Sequence, residues 1–379
     1  MSSNPSAPLP DPGSASTRAR WRLIAGFALA GLGGVLVGRL AARHAGPGVA
    51  LLLSPWDIAG ILAIWLGAIL VHEAGHWAGG RIGGLRLVLM TVGPLRLSHD
   101  PGGWRLGLFL RSGGFGGLTV MVPAADRPVA AQLRPMIAGG PLASLLLALA
   151  ATGVFAAAGG RFALYAAATA VVSSLLFAVT AIPLRIGSFP NDGAQWRELR
   201  RGGRAAQLRV VLGALSAQSL SGTRPRDLDA TALARAHDLD DGSDALCTAG
   251  LHFFDYAAAC DRGDAAAAGH ALDRIAARIG EIPQGLRQAY AIELAYFEAA
   301  CRGAAGRAQA WLDQARGGLV EPAIRARAST ALALAEGRRD AARDALDEAE
   351  RALHRHVDRG GAMLIADQLR DLRERLGAP

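Results

Sequence analysis

The sequence predicts a mainly α, polytopic membrane protein. About four transmembrane helices carry a small membrane-associated β-sheet, and an all-α domain of helical hairpins follows. Three observations carry this reading. Hydrophobic residues make up 51% of the 379-residue chain and the mean hydropathy is +0.24, too apolar for an ordinary soluble protein. The long Leu/Ala/Val/Gly runs are confined to roughly the first half. The second half is rich in Ala, Arg and Asp, in helical stretches divided by Gly or Pro.

Residues 1–20 are rich in Pro, Ser and Ala and read as a flexible tail. The membrane domain is assigned to 21–203. Its first apolar run, LIAGFALAGLGGVLVGRL, covers 23–40. It is longer than the core of a signal peptide, which favours a retained anchor over a cleaved leader. The second segment begins near Trp56 and runs through DIAGILAIWLGAILVHEAGHWAGG, the third covers 137–158 and the fourth 162–183. Arginines crowd the N-terminal tail, the segment between spans two and three, and the segment after span four, which predicts both termini on the cytoplasmic side. Arg39 and Arg43 oppose that orientation and are outvoted.

Between spans two and three, residues 85–123 alternate apolar and polar positions. LRLVLMTVGPLRLS and WRLGLFLRS are expected to form a hairpin turning at HDPGG, with GGFGGLTVMVP adding a short strand. Such a sheet would lie at the cytoplasmic face. Residues 204–379 form the helical domain. Its hairpin-like units fall around Gly263, Gly303 and Gly337, and the last two glycines are 34 residues apart. That spacing suits a degenerate tetratricopeptide-like array. A plain helical bundle remains open, as does a concave face for a protein partner.

The formal charge is +8 and all 40 basic residues other than histidine are Arg. With the Ala and Gly content, this points to a GC-rich bacterial genome, and the apolar spans are then expected in the cytoplasmic membrane of such a cell. No basic cluster with aromatics is present, so nucleic acid is not an expected partner. Cys247, Cys260 and Cys301 form no CxxC pair and read as small core residues of a reducing compartment. His354 and His356 read as a solvated surface, and His237, His252 and His270 stand isolated.

The chemistry lies in VHEAGHWAGG, residues 71–80. His72 and His76 are at i and i+4 on a helix, so both imidazoles can reach one metal ion. Glu73 lies beside them, placed to take a proton from an attacking water. Ionisable groups inside a span are functional by default. Imidazole ligands suit Zn2+, and a tetrahedral catalytic site needs a third protein ligand. Asp100 and Asp126 sit at loop positions and are poor candidates. Asp192, just past span four, returns to the same side as HEAGH, and Gly193 lets backbone crowd close to it.

The HExxH within a membrane helix, the Gly139-Gly140-Pro141 run opening the next span and the Asp192-Gly193 pair after the following one occur in order. In these features the chain resembles the site-2 protease family of intramembrane metalloproteases over roughly 50–200. The resemblance implies Zn2+ bound by His72, His76 and Asp192, and Glu73 as catalytic base. It implies substrate-holding positions at Gly139, Gly140, Pro141 and Ser144, and at Gly116 and Gly117 in a β-loop that aligns an unwound transmembrane substrate. Ser144 and Thr180 stand where the family often has Asn, and the stretch from Pro183 to Asp192 is several residues longer than its common pattern. The function implied is regulated intramembrane proteolysis of a transmembrane protein substrate. The competing reading is a catalytically silent scaffold that recruits partners through its helical domain.

Overall fold

A computed structural model describes residues 55–108, 116–123, 128–186, 189–282, 284–316 and 320–377. The predicted tail and the first apolar segment lie outside the described residues. Within them are three helices long and apolar enough to cross a membrane, which mark a membrane protein. These are α1 (Pro55–Gly83), α2 (Val129–Ala157) and α3 (Gly160–Ala181). Ile61, Leu62, Leu70, Leu142, Leu146, Leu149 and Val154 all point outward, a surface suited to lipid rather than water. The third predicted segment began at residue 137, but α2 starts at Val129 and runs through Pro135 and Pro141. Prolines are tolerated in membrane helices where neighbouring elements compensate for the lost backbone donor.

α1 and α2 touch backbone to backbone. Gly75, Gly79 and Gly83 recur every four residues along one stripe of α1. A Cβ at each would strike the carbonyl oxygen of Gly139, Pro135 and Gln132 in turn. Lipid supplies no hydrophobic drive between helices, so small residues that permit close approach hold such a pair together. Gly79→Leu is therefore expected to force the helices apart, at a cost of about 1–3 kcal/mol or more. A lowered thermal midpoint of the detergent-purified chain would report it, and an unchanged midpoint would refute the packing argument.

The segment between α1 and α2 forms a four-stranded antiparallel sheet in the order β3-β2-β1-β4. The strands are β1 (Leu85–Val92), β2 (Leu95–Asp100), β3 (Gly103–Leu108) and β4 (Gly117–Pro123). LRLVLMTVGPLRLS was expected to be one strand and is two. Gly93 takes a left-handed backbone (φ 54°), and with Pro94 it turns the chain between β1 and β2. The Asp100 turn is as expected, with its carboxylate accepting from the Gly102 N–H at 2.8 Å. Leu85, Leu87, Met90 and Met121 bury one region of the sheet against Ile69 of α1 and Leu133 and Met136 of α2.

After α3 come a two-stranded ribbon, β5 (Arg185–Ile186) with β6 (Phe189–Pro190), and the short helix α4 (Asp192–Arg201). α4 ends at Gly202 (φ 68°), and α5 (Arg204–Ser221) begins the helical region. That boundary is a turn in the chain rather than a gap in packing. Ala206 and Val210 of α5 join Leu199 of α4 and Ile137 of α2, while Leu208, Leu212 and Leu215 pack toward Leu251 further on.

The rest of the chain is α6 (Ala230–Leu239), α7 (Ala245–Asp261), α8 (Ala265–Arg278), α9 (Gln284–Ala300), α10 (Ala305–Gln314), α11 (Pro322–Ala335), α12 (Arg339–Leu353) and α13 (Arg359–Gly377). Gly263, Gly303 and Gly337 each adopt positive φ, between α7 and α8, α9 and α10, and α11 and α12 respectively. Glycine meets that conformation without a Cβ penalty, which is why these positions end one helix and release the next. One apolar core runs through these hairpins, from Leu272 and Ile292 to Leu332, Leu346 and Leu369.

Several readings of the polar half need correction. His356 is buried and pairs with Glu321 at 2.6 Å, because the chain turns inward after α12; it is not a solvated surface residue. His237 and His252 are not isolated, since both bond to Asp255 at 3.0 and 3.3 Å. Cys247 is a buried free thiol as expected, whereas Cys301 is exposed.

Candidate metal centre

His72, Glu73 and His76 lie toward the later end of α1, and all three are buried. Helical spacing puts both imidazoles on one side, with their Nε2 atoms 3.1 Å apart. Asp192 is the first residue of α4, and its Oδ2 lies 3.4 Å from each Nε2. Two ligand atoms held about 2.05 Å from a tetrahedral ion stand about 3.3 Å apart. The three observed separations match the edges of that tetrahedron, so these residues can hold one metal ion.

The outer hydrogen bonds sharpen the case. His76 Nδ1 lies 2.8 Å from the Met136 carbonyl of α2. A carbonyl can only accept, so Nδ1 carries the proton and a neutral ring presents its Nε2 lone pair to the centre. His72 Nδ1 lies 2.9 Å from Ser144 Oγ, which likewise turns Nε2 inward. Partners on the outer nitrogen are how metal-bound histidines are held in register. With the ring protons on Nδ1, two Nε2 lone pairs and a carboxylate converge on one point, an arrangement that could hold a cation.

Local structure explains how Asp192 arrives. Asn191 caps α4, its Oδ1 accepting from the Ala194 N–H at 3.0 Å. Its amide nitrogen donates to the Val179 and Ile182 carbonyls at 2.6 and 2.7 Å, tying α4 to the end of α3. The β5–β6 ribbon loops out and returns, and the Asn191 N–H meets the Leu184 carbonyl at 3.0 Å. Gly193 is needed because a Cβ would collide with the Ala181 carbonyl.

Gly139 packs on the Gly75 backbone, and a Cβ at Gly140 would enter the His76 ring. Pro141 is buried in the same helix, and Ser144 is wholly buried (0% exposed) on His72. Gly139, Gly140 and Ser144 therefore shape the histidine side of the centre. The Thr180 hydroxyl bonds back to the Leu176 carbonyl of its own helix at 2.8 Å. Gly116 accepts from the Gly93 N–H at 2.9 Å, and Gly117 lies against the Glu73 carboxylate.

Sequence reasoning missed Thr119, whose hydroxyl donates to Glu73 Oε2 at 2.6 Å. It also missed the Met136 carbonyl and Asn191. Only Asn191 left a legible signal, an N-cap residue before a polar helix. No protein-family model, curated protein or solved structure matches the chain.

Proposed function

We propose that the protein is an intramembrane zinc metalloendopeptidase of the site-2 protease type, hydrolysing peptide bonds of transmembrane protein substrates at a bacterial cytoplasmic membrane. The observation that carries this is the tetrahedral spacing of His72, His76 and Asp192 beside a buried Glu73, next to helices of membrane-spanning length. A scaffold has no chemical use for such a set.

Zinc held by the three residues would supply Lewis acidity to a scissile carbonyl and to water. Glu73 takes the proton of the attacking water and returns it to the leaving amine. Asp192 and the two imidazoles would hold the ion, Ser144 and Met136 hold the imidazoles, and Gly140 leaves room for the His76 ring. Among the described residues β4 pairs only with β1 in the sheet, which makes it an edge strand there, beside Glu73. An unwound substrate can add there as a further strand, satisfying backbone groups that have little water to bond. The helical hairpins after Arg204 supply a tetratricopeptide-like surface for a partner or a substrate tail.

The test is metal content of the detergent-purified chain by mass spectrometry. Wild type should hold about one zinc per chain, and His72→Ala and Asp192→Ala should lose it or bind it far more weakly. A wild type that stays metal-free after reconstitution with zinc would remove the peptidase reading and leave the scaffold. Loss in His72→Ala alone would show that Asp192 is not the third ligand.

A further inference from the structure

β4 does more than offer an edge. Its alternate residues Gly117, Thr119 and Met121 all face α1. Gly117 lies where a Cβ would meet Glu73 Oε1 and Cγ, and Met121 fills the space above Gly80. Between them Thr119, itself buried, donates its hydroxyl to Glu73 Oε2 at 2.6 Å. The same hydroxyl lies 3.4 Å from the Glu73 carbonyl. The strand thus runs along α1 over residues 73–80, with the Glu73 carboxylate enclosed between Gly117 and Thr119.

A glutamate side chain has three rotatable bonds, and a base that wanders cannot meet its proton. With Oε2 held by Thr119 and Oε1 against Gly117, the position of the carboxylate is set. The strand that orients the carboxylate is also an edge strand of the sheet among the described residues. A substrate strand paired with it would lie about 4.8 Å away, its residues opposite Gly117 and Thr119 alongside the base.

We propose that Thr119 is a positioning residue for Glu73, so that β4 sets the register of the substrate and the placement of the base together. This rests on the peptidase reading above. It adds a residue on a different element, which nothing in the HExxH pattern indicates. Register pairing within the sheet supports the role, since Thr119 stands opposite Met90 in β1 and has its backbone position fixed by the ladder. Only the side chain is then free to vary, which makes the hydroxyl the feature to test.

The test uses the full-length zinc-loaded chain in detergent with Thr119→Val, Thr119→Ser and Glu73→Gln. Valine keeps the shape of threonine and removes the donor; serine keeps the donor. The probe is a fluorogenic apolar peptide of about 20 residues, one membrane span, with Asn-Gly near its cytoplasmic end to favour unwinding. Thr119→Val should lower kcat about ten- to a hundredfold with KM unchanged, and Thr119→Ser should restore most of it. A second readout needs no turnover: the Glu73 carboxylate stretch, isolated as the infrared difference between wild type and Glu73→Gln. It should shift in Thr119→Val and stay in place in Thr119→Ser. An unshifted band means the hydrogen bond is absent and overturns the proposal, as does a shifted band with wild-type kcat. Absence of Glu73-dependent cleavage in wild type would overturn the peptidase reading itself, and this shows before any Thr119 variant is compared.

Discussion

Replacing Glu73 by glutamine is expected to end cleavage of membrane-embedded peptides while leaving the metal in place. Glutamine has the same shape, and its carbonyl oxygen still accepts from Thr119, so the packing beneath β4 survives. What it cannot do is take a proton from water. Positioned acid–base groups contribute about 10²- to 10⁴-fold to rate, so turnover should fall by at least the lower figure. Zinc content should match wild type, because the three atoms that converge are on His72, His76 and Asp192. The measurement is kcat on the fluorogenic span beside metal content of the same preparation. Residual activity near wild type would mean that another group takes the proton. Loss of metal would mean that Glu73 holds the centre together rather than serving as base. The same variant offers a route to the substrate, since an uncleaved membrane protein should accumulate in cells that carry it.

The second large effect is expected far from the metal. Arg327 of α11 is 2% exposed, a full cation inside the helical core. It donates to Glu293 of α9 at 2.6 Å and to Gln368 of α13 at 2.5 Å, and it stacks 4.2 Å over the Tyr296 ring. The hydroxyl of Tyr256 in α7 completes the group by donating to Glu293 at 2.9 Å. Burial disfavours the charge on Arg327, but Glu293 and the neighbouring tyrosines outweigh it, and the guanidinium stays protonated. Four helices from different hairpins therefore meet on one ion pair.

Arg327→Met should destabilise this region by about 3–5 kcal/mol, because it leaves Glu293 buried without a counter-charge. Hydrogen exchange in the intact chain is the readout, with protection falling across α9 and α11. The double variant Arg327→Met/Glu293→Gln removes both charges and should recover a good part of the loss. If the single variant exchanges like wild type, the pair is not holding the hairpins. If the double variant is no better than the single, the cost came from lost packing rather than the stranded carboxylate.

The cluster of His72, His76 and Asp192, which could hold a metal ion, was legible in the sequence because helix periodicity and the order of the apolar spans bear on it. A helix places residues four apart on one side, which brings His72 and His76 together without knowledge of the rest of the chain. The return of Asp192 to the same side follows from counting apolar spans. Gly263, Gly303 and Gly337 were legible for a similar reason, since a left-handed turn between helices strongly favours glycine. The split of 85–98 into two strands was missed because alternation reads the same through Gly93 and Pro94 as on either side of them.

What tertiary structure alone decided is the support around those residues. Ser144 reaches His72 from α2, and Met136 reaches His76, only because Gly75, Gly79 and Gly83 let the two helices close to backbone contact. Thr119 reaches Glu73 because β4, a strand of the sheet inserted between the helices, lies along α1. Arg327 finds Glu293 because two hairpins stack in one order and not another. Local periodicity determines which way a side chain points from its own element. Which partner it meets depends on crossing angle, depth and register between elements, and those are set by packing across the whole chain.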